Sequence, residues 1–273
     1  MTYKARIIPA TEEKKMPTHE TGHNIYSMAE RPDLRPQIWE IDSAVWPKFM
    51  HEDTVANQYW NRLYTDFPGN ILVLCEQGRE GERVIASAVT IPLAWDGSMD
   101  GLPDGWDGAI LRGFEGKEAG VAPNCLSALS ITVAPDRQGS GLSSTMLKQM
   151  RRLVQESGFT ALIAPVRPNL KPSYPLTPME RYITWTREDG SPFDPWLRVH
   201  WRLGARILKV APRSMVIPGT VAEWEEWASM RFPESGTYVV PGALEPVTVD
   251  VEADQGLYVE PNVWMLHEIE AET

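Results

Sequence analysis

Hydrophobic and polar positions change period at one point in the middle of the chain. Over residues 129–133, apolar and hydroxyl side chains alternate at period two, which predicts a strand. From Leu142 to Val154, apolar residues recur every three or four positions, which predicts an amphipathic helix. Gly139 and Gly141 lie between these segments. The pattern therefore predicts a strand that passes through a glycine loop directly into a helix.

The same two periods predict the elements that precede this glycine loop. Apolar residues spaced by three or four predict one helix over residues 34–49 and a second that starts at an Asp53 N-cap. Two β-rich runs, Ile71–Cys75 and Arg83–Leu93, flank a turn signal at residues 78–81. These runs predict an antiparallel hairpin.

The next strand is predicted over residues 160–166, after the central helix. A strand, helix and strand in this order imply a right-handed crossover and two neighbouring parallel strands. Thr177 and Glu180 form a capping-box signal for a short helix. The remaining predicted elements are a helix capped by Asp194, a strand over residues 205–218, a helix capped by Thr220, and strands near Tyr238, Val247 and residues 258–266.

A single large domain with additions accounts for the length of 273 residues. We expect an N-terminal strand at residues 4–8 and a flexible segment, which together make up residues 1–30. Residues 31–273 then form one domain with a C-terminal β extension. Two long stretches, 96–124 and 170–193, are predicted insertions, the first as a lid or a partly mobile segment.

The net charge and the cysteine content limit which partners the protein can bind and in which cellular compartment it is expected. The net charge of −11 argues against nucleic acid and anionic membranes as partners, because both select basic surfaces. No apolar run approaches the roughly 20 residues that cross a bilayer, and residues 1–4 lack the apolar segment of a secretory signal. Cys75 and Cys125 lie in strand-like segments and are expected to be buried thiols. We therefore expect a cytoplasmic protein.

The glycine loop has the chemistry of an anion site. Glycines allow close approach of a ligand, and the first amides of the helix point outward without intrahelical partners, so a phosphate is the expected ligand. A Walker loop is excluded because Leu142 and Ser143 follow Gly141 where Lys and a hydroxyl residue are needed. A dinucleotide fingerprint is excluded because Ser144 replaces its third glycine.

The loop resembles a motif of the GNAT acyltransferases. Val133-x-Pro135, followed by Gln138-x-x-Gly141-x-Ser143, matches their motif A except at Ser143, where Gly or Ala is usual. The resemblance, which covers residues 34–218, implies an α/β (α+β) fold with a mixed, mostly antiparallel sheet, a central parallel strand pair and helices on both faces. It also implies that acetyl-CoA or another acyl-CoA binds at the loop.

The resemblance implies a set of acyl-CoA contacts. Backbone amides near Ile131 and Val133 would bind the pantetheine arm and the thioester carbonyl. Asn169 stands where the family often contacts coenzyme A, although a turn-forming Asn is the alternative. Nearby cations in the sequence are Arg137, Arg151, Arg152, Arg167 and Lys171. The full predicted cofactor-binding set is Ile131, Val133, Arg137, Gln138, Gly139, Ser140, Gly141, Leu142, Ser143 and Asn169.

The predicted catalytic residues are His200, Ser130 and Thr132. His200 occupies the position of the usual acid Tyr of the family, and imidazole titrates near neutral pH, although a buried His with a satisfied ring is the alternative. Ser130 and Thr132 lie on the central strand, which carries no carboxylate, and are equally compatible with an ordinary polar layer. A water chain or Asp96 would then supply the base.

The resemblance implies direct transfer of an acyl group from coenzyme A to a small amine, and the insertions 96–124 and 170–193 would then wall the acceptor pocket. A homodimer is a possible assembly. Two alternatives stay open: thioester hydrolysis, decarboxylation or transfer to a thiol on the same fold, and a coenzyme A-binding module without catalysis. A third, a zinc hydrolase, rests on the H-E-x-x-H match at His19, Glu20 and His23. Gly22 within it and Pro17 before it oppose a helix, so we expect no metal.

Overall fold

Nine strands form one mixed sheet in residues 22–78 and 81–269, the part of the chain that this computed structural model describes. The sheet order is β1-β2-β3-β4-β5-β9-β8-β7, with β6 paired to β9, and every pair except β4–β5 is antiparallel. The predicted fold class is confirmed. The strands are β1 His23–Ser27, β2 Ile71–Gly78, β3 Gly81–Leu93, β4 Cys125–Val133, β5 Ala161–Val166, β6 Arg206–Gly219, β7 Gly236–Tyr238, β8 Val247–Asp250 and β9 Gln255–Glu268.

Helices cover both faces of this sheet. Helices α1, α2, α3 and α7 bury their apolar sides in one core, and α4, α5 and α6 contribute to two clusters on the opposite side. The helices are α1 Arg35–Val45, α2 Thr54–Asp66, α3 Gly105–Glu118, α4 Leu142–Glu156, α5 Met179–Tyr182, α6 Pro195–Arg202 and α7 Val221–Ala228. No helix within residues 22–78 and 81–269 has the length and apolar character needed to span a membrane.

Side-chain caps fix three of the helix starts. The Asp53 carboxylate accepts from the Ala56 amide at 2.7 Å, and Asp194 accepts from the amides of two residues in the first turn of α6. Thr220 forms a complete capping box with Glu223. Each cap satisfies amides that lack intrahelical partners, and all three were predicted. The capping box predicted at Thr177 is wrong, because α5 starts after Pro178 without a side-chain cap.

The N-terminal part of the described chain corrects one expectation. Residues 22–30 were expected to be loop, but β1 pairs antiparallel with β2 along its full length. Asn24 and Tyr26 both donate to Glu82 of β3, at 2.7 and 2.8 Å, so this polar strand is held at the sheet edge by side-chain bonds as well as backbone pairing. The strand predicted at residues 4–8 lies outside the described residues.

The first long insertion is a structural layer of the domain. Most of its middle forms α3, which packs on β3 and β6 and buries Trp106 and Phe114. A Cβ on Gly113 would lie 2.4 Å from the Ile91 side chain, so the glycine permits close packing of this helix on the sheet. The many glycines of this segment argued against a helix in the sequence. The segment is a part of the core and not the mobile lid that was expected.

The second insertion, residues 170–193, contains α5 and an aromatic cluster. Tyr174, Tyr182, Trp185 and Phe193 have ring centroids 5.0 to 6.3 Å apart. Mutual burial of these rings gives the segment a fixed structure of its own.

Candidate active site

The central parallel strands separate soon after they meet. Strands β4 and β5 pair only at Leu126 with Leu162 and at Ser127 with Ile163. From residue 128 onward β5 does not cover that edge of β4, and a β-bulge in the β3–β4 pairing falls at Leu129. The backbone groups of the outer part of β4, which includes Ile131 and Val133, therefore line a wedge between the two strands, called the β4–β5 wedge below.

The glycine loop lies at the open end of this wedge. Gly139 and Gly141 have φ angles of +77° and +85°, a conformation that L side chains rarely adopt. A Cβ built on either glycine meets no atom of the described chain within 4 Å, so the space above the loop is open. Gly141 is the N-cap of α4 and no side chain caps this helix, so the first amides of α4, which include those of Leu142 and Ser143, have neither an intrahelical nor a side-chain partner. A diphosphate fits these donors and this space.

Side chains of the loop hold its backbone in place. The Gln138 amide donates to the Val133 carbonyl at 3.4 Å, and the Ser140 hydroxyl donates to the Arg137 carbonyl. The Arg137 guanidinium binds Glu76 at 2.7 Å. The glycine loop that the sequence predicted is thus present, and its backbone is held by these side-chain bonds.

The cations expected around the loop have partners elsewhere. Three bind carboxylates, and Arg151 and Lys171 donate to backbone carbonyls of residues 203 and 244. Each of these five cations is therefore engaged in a contact within the protein. The three carboxylate pairs are Arg137 with Glu76, Arg152 with Glu156 and Arg167 with Glu260.

A buried carboxyl group of α1 lies beside the predicted hydroxyls of β4. Thr132 is 1% exposed, accepts from the Trp46 indole at 3.3 Å and hydrogen-bonds Asp42. Burial raises the pKa of Asp42 to about 6, opposed by the bond to Thr132. Asp42 Oδ1 and Ser130 Oγ have no hydrogen-bond partner in the described part of the chain.

Sequence reasoning missed Asp42, although one signal was available. Asp42 lies four residues after Ile38 and next to Ile41, on the face of the predicted helix that packs on the sheet. A carboxyl group at such a position is unusual, because burying a charge without a partner is costly.

His200 lies in a buried chain of hydrogen bonds. Its Nδ1 is 3.0 Å from His267 Nε2, and His267 Nδ1 is 3.0 Å from an Arg151 guanidinium nitrogen. Since arginine only donates, His267 must accept at Nδ1 and carry its proton on Nε2. That proton is donated to Nδ1 of His200, so the proton of the neutral His200 ring lies on its own Nε2. Burial, then the neighbouring His267, lowers the pKa of His200 well below its usual value. A neutral ring favours a structural role over the predicted role of acid.

Two other predicted residues lie at the surface. The exposed Asp96 carboxylate accepts from the Ser98 amide and hydroxyl at 2.9 and 2.8 Å, and these bonds lower its pKa. It stabilises a turn and does not have the environment of a base. Asn169 is exposed three residues beyond the end of β5. Of the H-E-x-x-H match, His23 begins β1 and not a helix, while His19 and Glu20 lie outside the described residues.

The mixed sheet, whose single parallel pair opens beside an uncapped helix N-terminus, is the fold that the sequence led us to expect. A curated relative, the arginine N-acetyltransferase avaD of Aspergillus versicolor, is 32% identical over 277 residues, which cover 91% of this chain and 94% of the relative. The chain belongs to the GNAT superfamily of acyl-CoA-dependent N-acetyltransferases. No family profile matches the chain.

Solved structures show the same fold. The loading GNATL domain of CurA from Lyngbya majuscula superposes with a TM-score of 0.60 at 18% identity, over 90% of this chain and 97% of that one. The GphF GNAT-like decarboxylase in complex with isobutyryl-CoA gives a TM-score of 0.55 at 16% identity, over 90% and 100%. At identities of 18% and 16%, the similarity to these two structures shows a shared fold and not a shared activity.

Proposed function

We propose that this enzyme transfers an acetyl group from acetyl-CoA to arginine or to a closely related small amine. The observation that carries the donor half is the β4–β5 wedge, which ends at the exposed, uncapped start of α4. The acceptor half is supported by the relative at 32% identity, which is named an arginine N-acetyltransferase and is matched over 94% of its length.

The backbone is the proposed donor-binding group. Acetyl-CoA supplies its acetyl group as a thioester, and transfer forms a C–N bond and breaks the C–S bond. The amides of Gly141, Leu142 and Ser143 bind the diphosphate at the start of α4. The amides of the uncovered β4 edge, near Ile131 and Val133, bind the pantetheine arm and polarise the carbonyl. Gln138, Ser140 and Arg137 support the loop through the bonds described above.

Asp42 is the proposed base. Attack by the acceptor requires that its nitrogen lose a proton, and a carboxyl group with a pKa of about 6 is mostly ionised at neutral pH and accepts a proton readily. Thr132, which bonds Asp42, lies on β4 between the two residues whose amides bind the donor. The Ser130 hydroxyl, on the same part of β4, is proposed to donate a hydrogen bond to the departing thiolate, and the proton that Asp42 removes from the acceptor nitrogen finally neutralises this thiolate.

Product analysis tests this function against its alternatives. Purified enzyme is incubated with acetyl-CoA or malonyl-CoA, with and without arginine, and products are identified by mass spectrometry. Acetylarginine that forms only when arginine and acetyl-CoA are both present is the expected result. Acetate or acetyl-CoA formed without arginine would instead establish hydrolysis or decarboxylation. Binding of coenzyme A without any product would establish a non-catalytic module.

We also propose a cytoplasmic location. Cys75 and Cys125 are both buried free thiols, and burial raises their pKa values to about 12, so they are inert and not paired. Fractionation of cells that express the tagged protein tests this; recovery from a secreted or organellar fraction would contradict it.

A further inference from the structure

Two carboxyl groups meet where α2 and α3 begin. Asp53 is the N-cap of α2, Asp107 lies in the first turn of α3, and the two are within hydrogen-bonding reach of each other. Asp53 is fully buried, with 0% of its surface exposed, whereas Asp107 is partly exposed. Asp53 Oδ1 caps the helix and Asp107 Oδ2 accepts from the Val216 amide at 3.2 Å, which leaves Asp53 Oδ2 and Asp107 Oδ1 without a donor from any other group in the chain as described.

The cluster holds more negative than positive charge. A third buried carboxylate, Glu260, is satisfied by Arg167 at 2.9 Å and by the Tyr258 hydroxyl at 2.9 Å. Across residues 22–78 and 81–269 no Lys or Arg forms an ion pair with Asp53 or Asp107. Burial, and then the Glu260 charge, raise the pKa of Asp53, while burial and the charges of Asp53 and Glu260 raise the pKa of Asp107 to about 8. The free enzyme therefore keeps a proton on this pair.

This acidic cluster adjoins both strands of the β4–β5 wedge. Trp106, the neighbour of Asp107, donates from its indole to the carbonyl of Leu129 at 2.8 Å, at the bulge of β4. Arg167, which follows the last residue of β5, binds Glu260 on the other side. The partly exposed Asp107 is thus the chain neighbour of a residue whose side chain contacts β4 at the start of the wedge.

We propose that Asp53 and Asp107 bind the guanidinium group of the acceptor. The inference rests on the proposed function, since it assigns the residues that select the acceptor class: arginine and other guanidino amines. A guanidinium is planar, offers parallel N–H donors to two carboxylates and is less strongly hydrated than an ammonium group. It therefore suits a buried carboxylate pair better than the ammonium group of lysine.

Specificity measurements test the assignment. Asp107→Asn and Asp53→Asn remove charge at nearly constant shape, and Asn still serves as the N-cap of α2. We expect either change to lower the ratio of kcat/KM for arginine over citrulline, its uncharged analogue, by about tenfold or more. Asp104→Asn, at the exposed N-cap of α3 without a side-chain bond, is the matched control and leaves the ratio unchanged. An unchanged ratio in Asp107→Asn would refute the assignment.

Calorimetry with arginine provides a readout independent of turnover. Because the pair holds a proton at pH 7, binding of a guanidinium should release about one proton, measured from the heats in two buffers of different ionisation enthalpy. The Asp107→Asn variant should bind arginine more weakly and release no proton. Arginine binding without proton release, equal affinity for lysine, or heat with Mg²⁺ or Ca²⁺ in place of arginine would overturn the proposal. If the wild type binds arginine with proton release but transfers no acetyl group, the proposed function fails and the subsite stands.

Discussion

At the scale of single residues, Asp42 combines a cost in stability with a proposed catalytic use. A buried carboxyl group whose pKa is raised destabilises the folded protein wherever it is ionised, because the unfolded chain ionises it more easily. Below about pH 4 the carboxyl group is protonated in both the folded and the unfolded protein and costs no stability. As pH rises from about 4 to 6, the unfolded chain ionises first, and the free energy of unfolding falls. Such a group is retained when its raised pKa is useful.

We therefore expect Asp42→Asn to separate activity from stability. The variant should lose about 100-fold or more in kcat, because no base remains beside Thr132. At pH 7 it should gain about 1 to 3 kcal/mol in the free energy of unfolding, because the uncompensated charge is gone. Steady-state kinetics and urea unfolding measure the two effects, with Glu40→Gln, an exposed change on the same helix, as control.

The pH dependence of the wild-type enzyme gives a second test of Asp42. Since the base must be ionised, kcat/KM should rise with pH through about 6 and level off above it. A profile that is flat from pH 5 to 7, or an Asp42→Asn variant with the wild-type kcat, would remove Asp42 from the mechanism.

His200 and His267 should stay neutral over the pH range in which the enzyme is expected to work. Burial lowers the pKa of both, for His267 to about 4, so their imidazole signals in a nuclear magnetic resonance titration should not shift between pH 8 and pH 5.5. If the His200 signal instead titrates near pH 6.5, the ring is available as the acid that the sequence predicted, and the structural role favoured here is incorrect.

At the scale of elements, the two glycines at the ends of α4 distinguish donor binding from backbone strain. Gly141 precedes the helix at φ +85° and Gly158 follows it at φ +72°, and a Cβ on either meets no described atom within 4 Å. Alanine at either position should therefore cost about 1 kcal/mol of stability through strain alone. Only Gly141 adjoins the proposed diphosphate site.

We expect Gly141→Ala to weaken acetyl-CoA binding by about tenfold, since its methyl group and altered backbone disturb the amide donors. Gly158→Ala should lose a similar amount of stability and keep the wild-type affinity. Titration calorimetry with acetyl-CoA and thermal unfolding make the comparison. Equal affinity losses in the two variants would assign the effect to general destabilisation of α4 and argue against the loop as the binding site.

At the scale of the whole molecule, bound acetyl-CoA should bridge strands β4 and β5 where the sheet leaves them unpaired. Strands β4 and β5 share only two residue pairs, so beyond them the β4 edge lacks backbone partners from β5. A ligand bound along this edge and at the loop stabilises the native state by mass action, by about 2.7 kcal/mol at 100 times its dissociation constant.

Thermal unfolding with acetyl-CoA checks this expectation. The wild type should show a concentration-dependent rise in Tm, whereas Gly141→Glu, which places a negative side chain at the loop, should show none. The unliganded Tm of both proteins serves as reference. A Tm rise of the same size in Gly141→Glu would mean that the donor binds elsewhere.

The sequence by itself determined the elements whose structure is local. The strand, glycine loop and helix around Gly141 were predictable because positive φ angles, caps and apolar periods act within a few neighbouring residues. The caps at Asp53, Asp194 and Thr220 were read correctly for the same reason. These features sufficed for the fold class and for the family to which the chain belongs.

Only the tertiary structure decided which side chains meet at the site. Asp42 faces Thr132, 90 positions later in the chain, and Asp53 meets Asp107 because α2 and α3 start side by side. Packing also gives other partners to residues that the sequence had assigned to the site. His200 bonds His267 in the interior, and Arg167 binds Glu260. Burial, and with it each shifted pKa, depends on contacts between distant segments, which no local period encodes.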